Sequence, residues 1–143
     1  MKRLVLDTNV VVSGIAGIHR AESAPGELLR RWSRQAFVWC VSQVILTEVQ
    51  RTLATPYFVS RIPLEERLAA MKTLRTRTEW IELTATVTGV ASHAEDDSIL
   101  ATALSARADA LVTGDAQLLA LKNIGQTPIL TIRDALVALE VDE

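Results

Sequence analysis

Four acidic side chains sit where an alternating strand–helix chain would bring strand ends together: Asp7, Glu48, Asp97 and Asp115. Asp7 closes the apolar run Leu4-Val5-Leu6 and precedes Thr8-Asn9, and Asp115 follows Ala110-Leu111-Val112-Thr113-Gly114. In an open parallel sheet, ligands bind beyond the carboxyl ends of the strands, near the point where strand order reverses. Glu48 lies on a predicted helix beside Val44, Ile45 and Thr52, and a glutamate at an apolar stripe is costly to bury unless something pairs with it. Asp97 shares the packed face of its helix with Leu100, Ala101 and Leu104. Its neighbours Glu95 and Asp96 read as first-turn acids favoured by the helix dipole, with Asp96 the natural N-cap and a supporting residue. Each acid also has a structural explanation: Asp7 as a turn acid, Glu48 at the edge of its stripe, Asp115 as an N-cap. Together they imply more.

Grouped carboxylates repel one another. At ~4 Å and an effective dielectric of ~20, each ionised pair costs on the order of 4 kcal/mol before screening. Such a cluster needs protons or a cation. One Cys and two scattered His exclude a Cys/His zinc site, and oxygen-only donors select hard ions, Mg²⁺ or Mn²⁺. Carboxylate-held Mg²⁺ suits phosphate esters: one ion activates a water, and a second, ~4 Å away, stabilises the leaving oxygen.

The acids need a scaffold that gathers them. Apolar runs at Leu4–Leu6, Phe37–Val41, Ile81–Leu83, Ala110–Val112 and Pro128–Leu130 predict strands. Helical spacing covers Ala24–Arg34, Gln43–Leu53, Pro63–Arg77, Asp96–Ala106, Ala116–Lys122 and Ile132–Leu139. Alternation without an Asn-Gly hairpin signal predicts right-handed crossovers and a parallel sheet, a three-layer α/β fold. Thr55-Pro56-Tyr57-Phe58 breaks one helix before the next, giving a helical hairpin over about 43–78 inside one domain spanning 1–143. Val141-Asp142-Glu143 are expected to fray.

Composition bounds the rest. With 143 residues the chain suffices for one hydrophobic core, and 49% apolar residues hint at surface covered by an oligomer or partner. No uninterrupted apolar run is long enough to span a membrane, and Asp7 and Asn9 break the N-terminal run before it resembles a signal peptide. The lone Cys40, in Phe37-Val38-Trp39-Cys40-Val41, fits a reduced, cytoplasmic setting. A net charge of −2 argues mildly against a nucleic-acid binder, unless the acids are concentrated in one site.

The residues also resemble a known family. Leu4-Val5-Leu6-Asp7-Thr8-Asn9 resembles the opening of PIN domains, and Ser42–Leu53 with Glu48 resembles their second motif. Glu95-Asp96-Asp97-Ser98-Ile99-Leu100-Ala101-Thr102-Ala103 is similar to the third, and Leu111-Val112-Thr113-Gly114-Asp115 to the fourth. Order and spacing agree along essentially the whole chain. The region from Thr55 through the helix at Pro63 resembles the branch containing VapC-like toxin components of toxin–antitoxin pairs. The resemblance implies a sheet of about five strands in the order 3-2-1-4-5 and cleavage of single-stranded RNA with one or two Mg²⁺ or Mn²⁺ ions. It also implies a homodimer and a cognate antitoxin that inserts a residue near the acids. On it, Asp7 and Asp97 correspond to the most direct metal ligands. Asp115 would complete the first ion's shell or hold a second, and Glu48 would bind or orient a metal-bound water. Thr8, Asn9 and Thr113 would support the acids by hydrogen bonding. The implied products carry a 5′-phosphate and a 3′-hydroxyl.

His19, in a predicted loop, and His93, expected to be exposed, are not placed for a metal-free route through the RNA 2′-hydroxyl. Arg30, Arg31, Arg34, Arg51, Lys72, Arg75 and Arg77 could hold an RNA backbone, and each reads equally as part of a solvated helix face. Aromatics make up 4%, too few for stacking to be expected to contribute much. Two rivals stand beside the nuclease. A phosphoacceptor receiver domain would need an early acid pair and a lysine after the last strand; only Asp7 and Thr131-Ile132-Arg133 occupy those places. A catalytically inactive PIN-like module that grips RNA or a partner without cutting fits the same sequence.

Overall fold

The computed structural model describes residues 1–91 and 94–141, except for the side chains of 94 and 95. In chain order the elements are β1 (Arg3–Leu6), α1 (Thr8–Ala16), α2 (Ala24–Ser33), β2 (Val38–Val41), α3 (Gln43–Leu53), α4 (Pro56–Val59), α5 (Leu64–Thr76), β3 (Glu79–Trp80), α6 (Ala94–Ser105), β4 (Ala110–Val112), α7 (Ala116–Ala120), β5 (Asn123–Ile124), β6 (Thr127–Leu130) and α8 (Ile132–Val141). The sheet runs β3-β2-β1-β4-β6-β5, parallel except for the β5–β6 pair. The expected three-layer α/β architecture is what forms. Among the described residues no helix is long and apolar enough to cross a membrane.

The central strands read as continuous apolar runs because helices cover both faces. Leu4–Leu6, Trp39–Val41 and Ala110–Val112 are all buried. Register fixes the site: Val5 lies opposite Cys40 and Leu111, and Leu6 opposite Val112. Asp7, Ser42 and Thr113, the next residues on each strand, therefore emerge level at the carboxyl end of the sheet. The chain reverses there from β2 on one side of β1 to β4 on the other, the condition the four acids needed in order to converge.

Four local features depart from the sequence expectations. Val10-Val11-Val12 belongs to α1, a helix that valine's strand preference concealed. All three valines are buried, so packing outweighs the weak intrinsic propensity. Pro56–Val59 forms the short helix α4, with Pro56 in its first turn, inside what was expected to be only a break. The third strand is Glu79–Trp80 and ends before Ile81, where a strand was expected over Ile81–Leu83. Finally, a sixth strand, β5, pairs antiparallel with β6 through the two-residue turn Gly125-Gln126, with Ile124 opposite Thr127. Gly125 has φ +58, the left-handed value required at the first position of a Gly-X hairpin turn. A search for Asn-Gly alone passes over it.

Glycine permits the close approach of α1 and α2: a Cβ on Gly26 would lie 2.1 Å from the Gly17 carbonyl oxygen. The expectations for His93, Asp142 and Glu143 fall outside the described residues. His19 lies in the turn after α1 and is exposed.

Candidate active site

Asp7 ends β1 and caps α1, its Oδ1 accepting the Thr8 backbone N–H at 2.8 Å. Its other oxygen, Oδ2, accepts the Thr113 hydroxyl at 2.7 Å. Thr113 is fully buried, and its Oγ1 in turn accepts the Asp115 backbone N–H at 3.0 Å. Asp115 caps α7, its Oδ1 accepting from the backbone N–H groups of Gln117 and Leu118. Thr8 carries the network the other way: its hydroxyl donates to Glu48 Oε2 at 2.8 Å. Asp7, Glu48 and Asp115 are thus linked through two threonines at one end of the sheet.

The electrostatics suit a cation. Asp7 is 5% exposed, and burial pushes its carboxyl above the usual aspartate range. Hydrogen bonds from Thr113 and Thr8 oppose that rise, and the Asp115 charge adds to it. A buried carboxylate facing a second carboxylate is the setting in which a hard divalent ion would relieve both desolvation and repulsion.

Asp97 is arranged differently. It is 7% exposed on the packed side of α6, as its spacing foretold. Its carboxylate, however, accepts three backbone N–H groups from the segment before the helix: Gly89 on Oδ2 at 3.0 Å, and Val90 and Ala91 on Oδ1 at 3.2 and 2.7 Å. Among the described residues no three His, Cys, Asp or Glu side chains stand together as a ready-made metal cage. By donor chemistry Asp7, Asp115 and Glu48 fit a divalent ion. Asp97 carries three amides, two on Oδ1 and one on Oδ2, so only Oδ2 keeps a lone pair for an ion while they are in place. These amides are a partner that sequence reasoning missed; the one signal was Gly89, whose φ is +69.

The supporting residues divide. Thr8 and Thr113 bond the acids directly. Asn9 is exposed on the first turn of α1, with no hydrogen bond to them among the described residues. Asp96 is not the N-cap: α6 begins at Ala94, which places Asp96 within the first turn, half-buried. The arginines proposed for RNA are partly committed elsewhere. Arg30 donates to the carbonyls of Gly17, Ile18 and Arg20, closing the α1–α2 turn. Arg31 and Arg34 line a depression with Met1 and Lys2 at the amino ends of the strands, away from the acids.

Register, acids and threonines together form a family pattern. A family model described as PIN domain matches residues 3–117. The chain belongs to the PIN-domain family. PIN domains are generally nucleases, and in this one the matched span carries all four acids and both bridging threonines. No curated protein matches this PIN domain. Among solved structures it is similar in fold to VapBC2 from Rickettsia felis bound to a DNA fragment from their promoter, with a TM-score of 0.59 and 18% identity. That match covers 90% of this chain and 98% of the other.

Proposed function

We propose that this PIN domain, taken as one unit over 1–143, is a divalent-metal-dependent endoribonuclease that cleaves single-stranded RNA. Asp7, Glu48, Asp97 and Asp115 are its catalytic acids. The observation that carries the reading is the Asp7–Thr113–Asp115 connection at the carboxyl end of the sheet, which holds two carboxylates close in a partly desolvated setting. Mg²⁺ or Mn²⁺ bound there would supply charge neutralisation at the scissile phosphate and activation of water. The chain's own residues set the stage. Thr113 fixes the direction of one Asp7 oxygen, the Thr8 N–H fixes the other, and the Thr8 hydroxyl orients Glu48. Asp115, tied to the first turn of α7, keeps one oxygen on the helix amides and has the other for a ligand.

The role as the toxin of a toxin–antitoxin pair is supported by the sequence likeness and by the fold shared with VapBC2. The homodimer is supported by exposed apolar side chains on the helical hairpin, Tyr57, Val59, Leu64 and Leu68. A cytoplasmic setting fits the single buried Cys40. One observation favours the second reading, a binding module without cleavage: Asp97 is engaged by backbone amides rather than by the other acids.

Incubating the purified protein with labelled single-stranded RNA, in Mn²⁺ or in EDTA, separates the two. Cleavage that requires metal and disappears in Asp7→Asn is the expected result. Binding without cleavage in Mn²⁺ would establish the module instead.

A further inference from the structure

Trp80 occupies an exposed place for so large an aromatic. It is 42% exposed at the end of the edge strand β3, whereas Trp39 is buried and Trp32 half-buried against it, the two rings 5.0 Å apart edge to face. Register places Trp80 opposite Val41, one residue short of the level of Asp7 and two strands away, about 10 Å across the sheet. A cleft there is lined by Gln43, Val44, Trp80, Ile81, Glu82 and Leu83.

Helix α3 joins that cleft to the acids. Val44 and Glu48 are four residues apart on α3, neighbours on one face. Val44 lines the cleft, and Glu48 accepts the Thr8 hydroxyl at the acidic site. The cleft's chemistry suits a base better than a phosphate: none of the described residues lining it is Lys or Arg. Its polar groups are mixed: the Trp80 indole N–H can donate, Gln43 can do both, and Glu82 offers only acceptors. Gln43 donates one Nε2 hydrogen to Thr47 and keeps its second N–H and its amide oxygen, while the Glu82 carboxylate can only accept.

We propose that Trp80 is a substrate-binding residue that stacks one unpaired base of the RNA beside the cleavage site. Glu82, which offers only acceptors, then favours bases carrying an exocyclic amino group over uracil. Aromatic faces hold single-stranded bases in this way without needing cations, and carboxylates read amino groups on base edges. The inference rests on the nuclease reading for its place in the reaction, but the stacking itself can be tested without cleavage.

In EDTA, where metal-dependent cleavage is off, tryptophan fluorescence is followed as oligoadenylate or oligouridylate is added. The expected result is a quench that saturates with oligoadenylate, is weaker with oligouridylate, and is largely lost in Trp80→Phe. With Mn²⁺, Trp80→Leu should raise KM about tenfold with kcat within about twofold, while Trp80→Phe keeps KM near the wild-type value. Leu preserves apolar bulk at the strand edge, and an unchanged melting temperature shows that the variant folds. Wild-type cleavage together with an unaltered KM in Trp80→Leu would overturn stacking and leave the nuclease standing. Absence of wild-type cleavage would sink the nuclease, and the quench would then decide the stacking alone. A quench produced by a protein partner and not by either oligonucleotide would also overturn it.

Discussion

Asp7 and Thr113 lie 106 residues apart in the chain and share a 2.7 Å hydrogen bond between a buried hydroxyl and a buried carboxylate. The same hydroxyl accepts the Asp115 N–H, so its one proton is committed to Asp7 and its oxygen to the next acid. This couples the ends of β1 and β4 by chemistry as well as by register.

Thr113→Val tests that coupling. Valine matches the shape but leaves one Asp7 oxygen and the Asp115 N–H without their partner. Stability should fall by about 1–3 kcal/mol, the penalty for stranding buried polar groups. Metal-dependent cleavage should drop by about 10- to 100-fold, the usual scale for losing a residue that orients a metal ligand. Thr113→Ser should restore most of both. Denaturant melts and initial rates decide it, and an active Thr113→Val would remove the threonine from the site.

Asp7 should make the metal-free protein more stable in acid than its other groups alone would. Its folded carboxyl is raised by burial, so the unfolded chain releases that proton first. This contribution is intact below the ordinary aspartate range, is lost as pH rises from there through the raised folded value, and stays lost above it. Asp7→Asn should abolish that segment of the stability–pH curve. It should also stabilise the metal-free protein at pH 7 by about 1 kcal/mol while eliminating cleavage. Millimolar Mn²⁺ should raise the wild-type Tm and leave the variant unmoved. A variant less stable than wild type at neutral pH would show that Asp7 carries no such strain.

Asp97 holds the Gly89–Ala91 amides through charge-assisted hydrogen bonds. An ion shared with Asp7 and Asp115 would compete with these amides for the Asp97 oxygens. Saturating Mg²⁺ should therefore speed hydrogen exchange at those three amides several-fold in the wild-type protein, as Asp97→Asn should without metal. Exchange that stays slow while Mg²⁺ binds elsewhere at the site would remove Asp97 from the ligand set.

Cys40 should be inert in the folded protein. Burial is the main cause pushing its thiol from 9.0 up to about 12, and its Sγ donates to Glu79 Oε2 at 3.6 Å. Thiolate reagents at pH 8 should leave it untouched until denaturant is added. Because its folded pKa lies above the unfolded one, stability from this group is intact at neutral pH and falls as pH rises through the ordinary thiol range toward 12. Rapid labelling of native protein would contradict that burial.

The sequence by itself determined the alternating layers and the places of the acids. Leu4-Val5-Leu6 and Ala110-Leu111-Val112 are apolar throughout, as strands of a doubly covered sheet are. Asp97 falls on the face of Leu100 and Ala101, so its burial followed from helical spacing alone. Local signals failed where packing outweighed propensity: the valines of α1 form a helix because both its cap at Asp7 and its buried surroundings favour one. Only the tertiary structure decided which partner each carboxylate takes. Hydrogen bonds between β1 and β4, or between α6 and the segment before it, depend on register and rotamer, and neither leaves a periodic trace in the chain. That is why Thr113 proved to be the link between two acids, and why Asp97, legible as a buried acid, bonds backbone amides that no motif had pointed to.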